Sequence, residues 1–123
     1  MSQTHNPGFP RIGLKRELKF ATERYWKGQI SGEELEETAA EIRRENWKRQ
    51  IEAGIDRIPV GDFSLYDHVL DMTVMLGHVP QRFKPDDDLS ELDRYFRMAR
   101  GRSRHGTPVA ACEMTKWFDT NYH

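Results

Sequence analysis

The chain has 123 residues, of which 37% are hydrophobic and 32% are charged. This length fits one domain with a core of ordinary size. Lys and Arg (19) nearly balance Asp and Glu (20), so the formal net charge of -1 argues against a nucleic-acid-binding protein, and any basic site must be local. A single cysteine excludes an internal disulfide framework and a multi-thiolate metal site, and it favours a reducing, cytoplasmic setting.

Membrane insertion and secretion are not expected. No apolar run approaches the roughly 20 residues that a transmembrane helix needs. The N-terminus, M-S-Q-T-H-N-P, has neither the basic segment nor the apolar segment of a signal peptide. We therefore expect a soluble protein that does not bind membranes.

The opening stretch 6–19, N-P-G-F-P-R-I-G-L-K-R-E-L-K, joins a loop of two prolines and two glycines to the start of a helix. Lys15, Arg16 and Lys19 lie in or near the first turn, where the helix dipole makes each cation unfavourable by roughly 0.3 to 1 kcal/mol. An anion held by these side chains and by the free N–H groups of the turn would account for them. Alternatively, the long side chains simply extend into water, with nearby glutamates neutralising part of the field.

The spacing of apolar residues predicts four helices. The first runs to about Lys27. A capping box with Ser31 as N-cap starts the second, which should end near Ala53. Ser64 is predicted to cap the third helix, and Gly101 to end the fourth. The predicted buried stripes are, in order, Leu14, Leu18, Ala21 and Tyr25; Leu35, Ala39, Ile42, Trp47 and Ile51; Leu65, Val69, Met72 and Leu76; and Leu89, Leu92, Phe96 and Ala99.

Two short segments are predicted to be strands. Residues 57–62 include the β-branched Ile58 and Val60 and end in a turn, although Pro59 has no N–H to donate to a β-ladder. Residues 112–119 alternate apolar and polar side chains, and residues 78–88, with two prolines, should be a surface connection. Strands separated by helices indicate an α/β protein with βα units and a parallel sheet. Because a (βα)8 barrel takes about 250 residues, we expect this chain to be the front piece of a longer protein.

No complete catalytic motif is present. The sequence lacks a P-loop, a G-x-G-x-x-G, a G-x-S-x-G and an H-E-x-x-H, and Cys112 is interpreted as a small buried residue. Lys116 lies on the last predicted strand. It is either a solvent-facing position or a second basic feature that a barrel could bring together with the opening stretch. We therefore predict a binding segment, not a catalytic one.

Four blocks carry a resemblance to a known family: Gly8–Lys19 (G-F-P-R-I-G-L-K-R-E-L-K), Asp62–Asp71 (D-F-S-L-Y-D-H-V-L-D), Phe96–Gly101 (F-R-M-A-R-G) and Glu113–His123 (E-M-T-K-W-F-D-T-N-Y-H). In this order they resemble the start of cobalamin-independent methionine synthase, over essentially the whole chain. The resemblance implies that residues 1–123 are the first part of the N-terminal (βα)8 TIM-type barrel of a two-barrel enzyme. The barrel would be incomplete and helix-rich here, and the C-terminal zinc-bearing barrel absent.

The resemblance also implies a function. The family moves a methyl group from 5-methyltetrahydrofolate polyglutamate to homocysteine and forms methionine, with zinc and without cobalamin; none of its zinc ligands matches a position in this chain. Three motifs of the family match positions in this chain. The R-E-L-K motif falls on Arg16, Glu17, Leu18 and Lys19, the lysine of the M-T-K-W-F motif on Lys116, and the asparagine of the D-T-N-Y-H motif on Asn121. These residues would help to bind the glutamate tail of the folate, and the segment alone would be inactive.

Two hypotheses follow. The chain is a fragment of a methyltransferase whose partners are 5-methyltetrahydropteroyltri-L-glutamate and homocysteine, or it is a stand-alone oligomeric module for anion binding or assembly. Isolated βα units leave sheet edges and apolar helix faces exposed, so we expect the chain to self-associate or to exchange elements with a neighbour.

Overall fold

The structure, a computed structural model, describes residues 1–86, 88–101 and 109–112. In chain order, the helices are α1 (Glu17–Trp26), α2 (Gly32–Glu52), α3 (His68–Met75), a 3₁₀ helix (Gln81–Asp86) and α4 (Glu91–Arg100). The chain forms two compact units, Met1–Leu65 and Tyr66–His123. The first contains α1 and α2, which pack against each other, and the second contains the remaining helices.

The strand predicted over residues 57–62 does not form. Among the described residues, the β-pairing is limited to an isolated parallel bridge between His5 and Arg57, supported by a hydrogen bond of 3.0 Å from the Arg57 N–H to the Thr4 carbonyl. Pro59 has no N–H to donate, and so a ladder cannot continue past the bridge. The described part is helix-rich, and the barrel itself stays a prediction.

Helix α1 confirms the first predicted helix, which ends at Lys27 and Gly28 as expected. Leu18 and Ala21 are buried as predicted. Leu14, in contrast, is 75% exposed, because it precedes the helix and therefore does not share its buried face.

Helix α2 begins at the predicted capping box. The Ser31 hydroxyl accepts from the Glu34 N–H at 3.1 Å, and the Glu34 carboxylate accepts from the Ser31 N–H at 2.7 Å, so two N–H groups of the helix start are satisfied. The predicted stripe is correct for its first half and wrong for its second. Leu35, Ala39 and Ile42 are buried, whereas Trp47 is half-buried and Ile51 is 63% exposed. Asn46 and Gln50 take the buried positions instead.

Helix α3 starts one turn later than predicted. Asp67, not Ser64, is its N-cap, and the Asp67 carboxylate accepts from the Leu70 N–H at 2.8 Å. Ser64 is only 1% exposed and lies in irregular chain before the helix. Of the predicted stripe of α3, Val69, Met72 and Leu76 are exposed, and Leu70 is the buried residue of the helix instead.

Helix α4 of the second unit agrees more closely with the prediction from the sequence. Helix α4 ends at Gly101, as predicted, and its N-cap is Ser90. Phe96 is buried and Leu92 and Ala99 are half-buried, with Tyr95 and Met98 completing the buried face. The connection 78–88 contains the 3₁₀ helix, in which Phe83 is fully buried. This segment is therefore part of the core and not only a surface link.

Candidate anion-binding turn at the start of helix α1

The turn that leads into α1 has an unusual backbone. Arg16, the N-cap of the helix, is in the left-handed region with φ 63° and ψ 34°, and it is the one non-glycine residue with positive φ in the described part of the chain. This conformation costs an L-residue roughly 1 to 2 kcal/mol. The Arg16 side chain makes no capping hydrogen bond that would offset the cost. We call residues 13–19 the opening turn.

Gly13 and Glu17 fix the shape of the opening turn. The Glu17 carboxylate folds back over the turn and accepts from the Lys15 N–H at 2.9 Å. Gly13 has φ +84°, and a Cβ placed on it would lie 2.1 Å from Glu17 Oε2. Only glycine therefore allows the carboxylate to reach this position without strain. The Arg16 N–H closes the turn onto the Gly13 carbonyl at 3.2 Å.

The cations of the opening turn point into solvent. Lys15 and Arg16 are exposed. Lys19 lies 3.7 Å from the Glu23 carboxylate, with both side chains about 40% exposed (41% and 39%), a pairing that contributes at most about 1 kcal/mol. No described residue accepts a hydrogen bond from the N–H groups of Glu17 and Lys19. The opening turn therefore has three cations, and two N–H groups without a described acceptor, at the start of a helix, a combination that favours anion binding.

Leu18 has a different place from its neighbours in the R-E-L-K block. Its side chain is 1% exposed, and its N–H donates to the Ile12 carbonyl at 3.2 Å. Leu18 therefore seats the turn in the core of the first unit.

Two buried amides of α2 hold the loop before the turn, and hydrophobic periodicity does not predict either of them. The Asn46 Nδ2 donates to the Pro10 carbonyl at 3.1 Å, and the Asn6 Nδ2 donates to the Gln50 Oε1 at 2.8 Å. Asn46 and Gln50 are 7% and 4% exposed. Their spacing of four continues the stripe from Ile42, a pattern that could have identified them.

The other side of the loop is held by the chain that follows α2. The Phe9 N–H donates to the Asp62 carboxylate at 2.7 Å. The Arg11 guanidinium donates to the carbonyls of Ser64 and Leu65 at 3.3 and 3.1 Å. These bonds connect residues more than 50 positions apart in sequence, so the first unit as a whole determines where the opening turn lies.

Two of the predicted site residues, Lys116 and Asn121, lie outside the described residues. The described residues include no group of three or more His, Cys, Asp or Glu side chains that could hold a metal ion. None of the helices described is long and apolar enough to cross a membrane.

The chain belongs to the family described as the N-terminal domain of cobalamin-independent synthases, whose model matches residues 3–123. This match confirms the resemblance inferred from the four sequence blocks. A relative from Photorhabdus laumondii, a 5-methyltetrahydropteroyltriglutamate–homocysteine methyltransferase, is 58% identical over 119 residues, which are 97% of this chain. A relative of the same name from Coxiella burnetii (strain Dugway 5J108-111) is 57% identical over all 123 residues. The chain spans 16% of the length of either relative.

Proposed function

We propose that this chain is the opening part of a methyltransferase that moves a methyl group from 5-methyltetrahydropteroyltriglutamate to homocysteine. Within that protein, the opening turn would bind the glutamate tail of the folate. Support comes from the family match and from the names of relatives that are 57–58% identical. The cobalamin-independent description of the family agrees with a reaction that uses no cobalamin.

The observation that carries the tail-binding role is the strained Arg16 at a cationic helix start. The left-handed backbone and the unfavourable position of the cations relative to the helix dipole both cost stability. The Arg16 guanidinium has no acceptor atom, so it cannot cap the N–H groups of the first turn, and this helix start has no side-chain cap hydrogen bond. Strain of this kind is often found at ligand-binding sites. A triglutamate tail is a row of carboxylates, which three cations and free N–H groups match in charge and in hydrogen bonding.

The proposal gives the residues different roles. Arg16 and Lys19 would bind carboxylates directly, and Glu17 would hold the turn through the Lys15 N–H. Leu18 would hold the turn in place, since its side chain is buried and its N–H donates to the Ile12 carbonyl. Lys116 and Asn121 are included because they match the family's sequence blocks. The chain is given a binding role and no chemical step.

The test compares folates with one and three glutamates. In the natural full-length gene product, Lys19→Ala and Lys116→Ala should each weaken binding of the triglutamate by about tenfold, the effect of losing a hydrogen bond to a charged group. The monoglutamate should be almost unaffected. Lys27→Ala, at the opposite end of α1, is the matched control and should change neither. Equal losses for the two folates would exclude a role in tail binding.

A stand-alone assembly module is the second candidate, and the exposed face of helix α3 is compatible with it. Val69, Met72, Met75 and Leu76 are 52–70% exposed, and their spacing places them on one face. Such a face promotes association between copies. The intact mass of the natural protein separates the two hypotheses. A mass near the 14.5 kDa of this chain supports the module, and a mass several times larger supports the methyltransferase.

A further inference from the structure

The ammonium group of Lys19 has a carboxylate partner in its own helix. Lys19 Nζ lies 3.7 Å from Glu23 Oε1, and the two side chains are 41% and 39% exposed. The same Nζ lies 6.0 Å from the centre of the Phe20 ring. Both contacts are with residues that follow Lys19 in α1, whereas Arg16 precedes it by three positions. The contacts therefore draw the ammonium along the helix and away from Arg16.

The Lys19–Glu23 pair has the features of a weak interaction. At a spacing of four residues, Glu before Lys is the favourable order, and here Lys comes first. Lys19 lies in the first turn of α1, where the helix dipole opposes a cation. Both side chains are also partly exposed, so water and salt screen the pair. An incoming anion can therefore displace Glu23 at little cost in stability.

The Glu23 side chain and the glutamate tail of a folate carry the same chemical group. Under the proposed function, Lys19 binds a carboxylate of this tail. If Glu23 leaves Lys19 when the tail arrives, the ion pair is lost. If Glu23 stays, two negative charges share one ammonium and repel each other. In both cases Glu23 reduces the free energy that is gained when the tail binds.

We propose that Glu23 is an internal competitor of the folate tail for Lys19 and thereby limits the affinity for the triglutamate. This inference rests on the proposed function, and it adds a specificity-determining residue that acts through Lys19 and does not bind the folate. Competition would also assist turnover. The tail takes no part in methyl transfer, so the folate product carries the same tail and must dissociate. A carboxylate that pairs again with Lys19 favours this release.

The test measures the binding of folates to the natural full-length gene product by calorimetry. Glu23→Gln removes the charge of the side chain and keeps its size. It should lower the Kd of the triglutamate by about two- to fivefold, the range expected for one exposed ion pair, and leave the Kd of the monoglutamate unchanged. Because salt screens exposed charges, the difference between variant and parent should shrink when the salt concentration rises from about 0.05 M to about 0.5 M.

Two further variants and one changed background isolate the effect of the Glu23 charge on Lys19. Glu23→Asp keeps the negative charge and should lower the Kd of the triglutamate less than Glu23→Gln does. Glu37→Gln removes the same charge from an exposed position of α2 and should change neither Kd. In a Lys19→Ala background, Glu23→Gln should no longer improve binding, because the group for which Glu23 competes is absent.

The outcomes separate this inference from the proposed function. If Lys19→Ala weakens the triglutamate selectively but Glu23→Gln leaves its Kd unchanged or raises it, the competition is wrong and tail binding by Lys19 stands. A gain in affinity of equal size for both folates, or one that persists in the Lys19→Ala background, would also overturn the competition. If Lys19→Ala weakens both folates equally, the tail-binding role of Lys19 fails and the competition fails with it.

Discussion

Replacing Gly13 by alanine tests whether the opening turn is built around the Glu17 carboxylate. The substitution has two effects. It places an alanine at φ +84°, and it puts a Cβ 2.1 Å from Glu17 Oε2 and 3.3 Å from the Glu17 backbone nitrogen. The carboxylate must then leave the Lys15 N–H, to which it is bonded at 2.9 Å. Gly54 offers a matched control, because it has φ +78° with nothing within 4 Å of an added Cβ.

The expected magnitudes follow from these two terms. Left-handed strain costs about 1 to 2 kcal/mol, and the smaller entropy of the unfolded chain offsets about 0.4 to 1 kcal/mol of it. Gly54→Ala should therefore lower the free energy of unfolding by about 0.5 to 1 kcal/mol. Gly13→Ala also loses one hydrogen bond to a carboxylate, about 1 kcal/mol at an exposed position. Its total loss should be about 1.5 to 2 kcal/mol.

Urea denaturation of the two variants and of the parent chain measures both losses. A third comparison isolates the contribution of the Glu17 carboxylate. When Gly13→Ala is made in a Glu17→Ala background, its loss of unfolding free energy should be no larger than that of Gly54→Ala. Equal losses for Gly13→Ala and Gly54→Ala in the parent background would refute the role of Glu17 in shaping the turn.

Three further predictions concern the bonds that hold the two units in shape. The Tyr95 hydroxyl donates to Asp71 at 2.5 Å and accepts from the N–H groups of Tyr66 and Asp67 at 3.1 and 3.3 Å, so Tyr95→Phe should cost about 1 to 3 kcal/mol in urea denaturation. Burial, together with Asp71, raises the pKa of Tyr95 above its ordinary value of 10.0. The contribution of the protonated Tyr95 hydroxyl to stability is therefore complete below pH 10 and is lost as the pH rises further. If the unfolding free energies of the parent chain and of Tyr95→Phe changed in the same way above pH 10, this account would be contradicted. Hydrogen bonds from the Thr4 N–H and hydroxyl hold the pKa of Asp56 below 3.8. The Asp56 carboxylate therefore stabilises the fold above pH 3.8, and this stabilisation is lost as the pH falls through the pKa of Asp56 in the folded chain. Asp56→Asn should flatten the acid side of a plot of unfolding free energy against pH. An acid side that does not change would count against the Thr4–Asp56 hydrogen bonds. Asn46→Ala removes the hydrogen bond from the buried Asn46 amide to the Pro10 carbonyl and should cost about 1 kcal/mol, whereas Arg44→Ala, two residues earlier on the exposed face, should change stability by less than about 0.5 kcal/mol.

Local signals in the sequence predicted the helices well. The capping box at Ser31 and the stop at Gly101 are determined by contacts within a few residues, and both are confirmed. The N-cap of α3 was misplaced because Ser64 and Asp67 are both good caps by local chemistry. What distinguishes them is the burial of Ser64 at 1% exposure, a tertiary property.

The candidate site was only partly visible in the sequence. The cations of the opening turn could be identified by their position at a helix start, and the structure adds the left-handed Arg16 and the folded-back Glu17. Hydrophobic periodicity passed over Asn46 and Gln50, because it scores amides as surface residues. Their partners, Pro10 and Asn6, lie 36 and 44 residues away, a pairing that spacing alone does not reveal.

The central claim is that Arg16 is kept in a strained position to bind the glutamate tail, and Arg16→Gly tests it most directly. Glycine relieves left-handed strain of about 1 to 2 kcal/mol, less the cost of its greater freedom in the unfolded chain, so the variant should be at least as stable as the parent. The decisive quantity is the ratio of monoglutamate to triglutamate Kd in the natural full-length gene product. We predict that this ratio falls by about tenfold in Arg16→Gly; an unchanged ratio would contradict the tail-binding role of the opening turn.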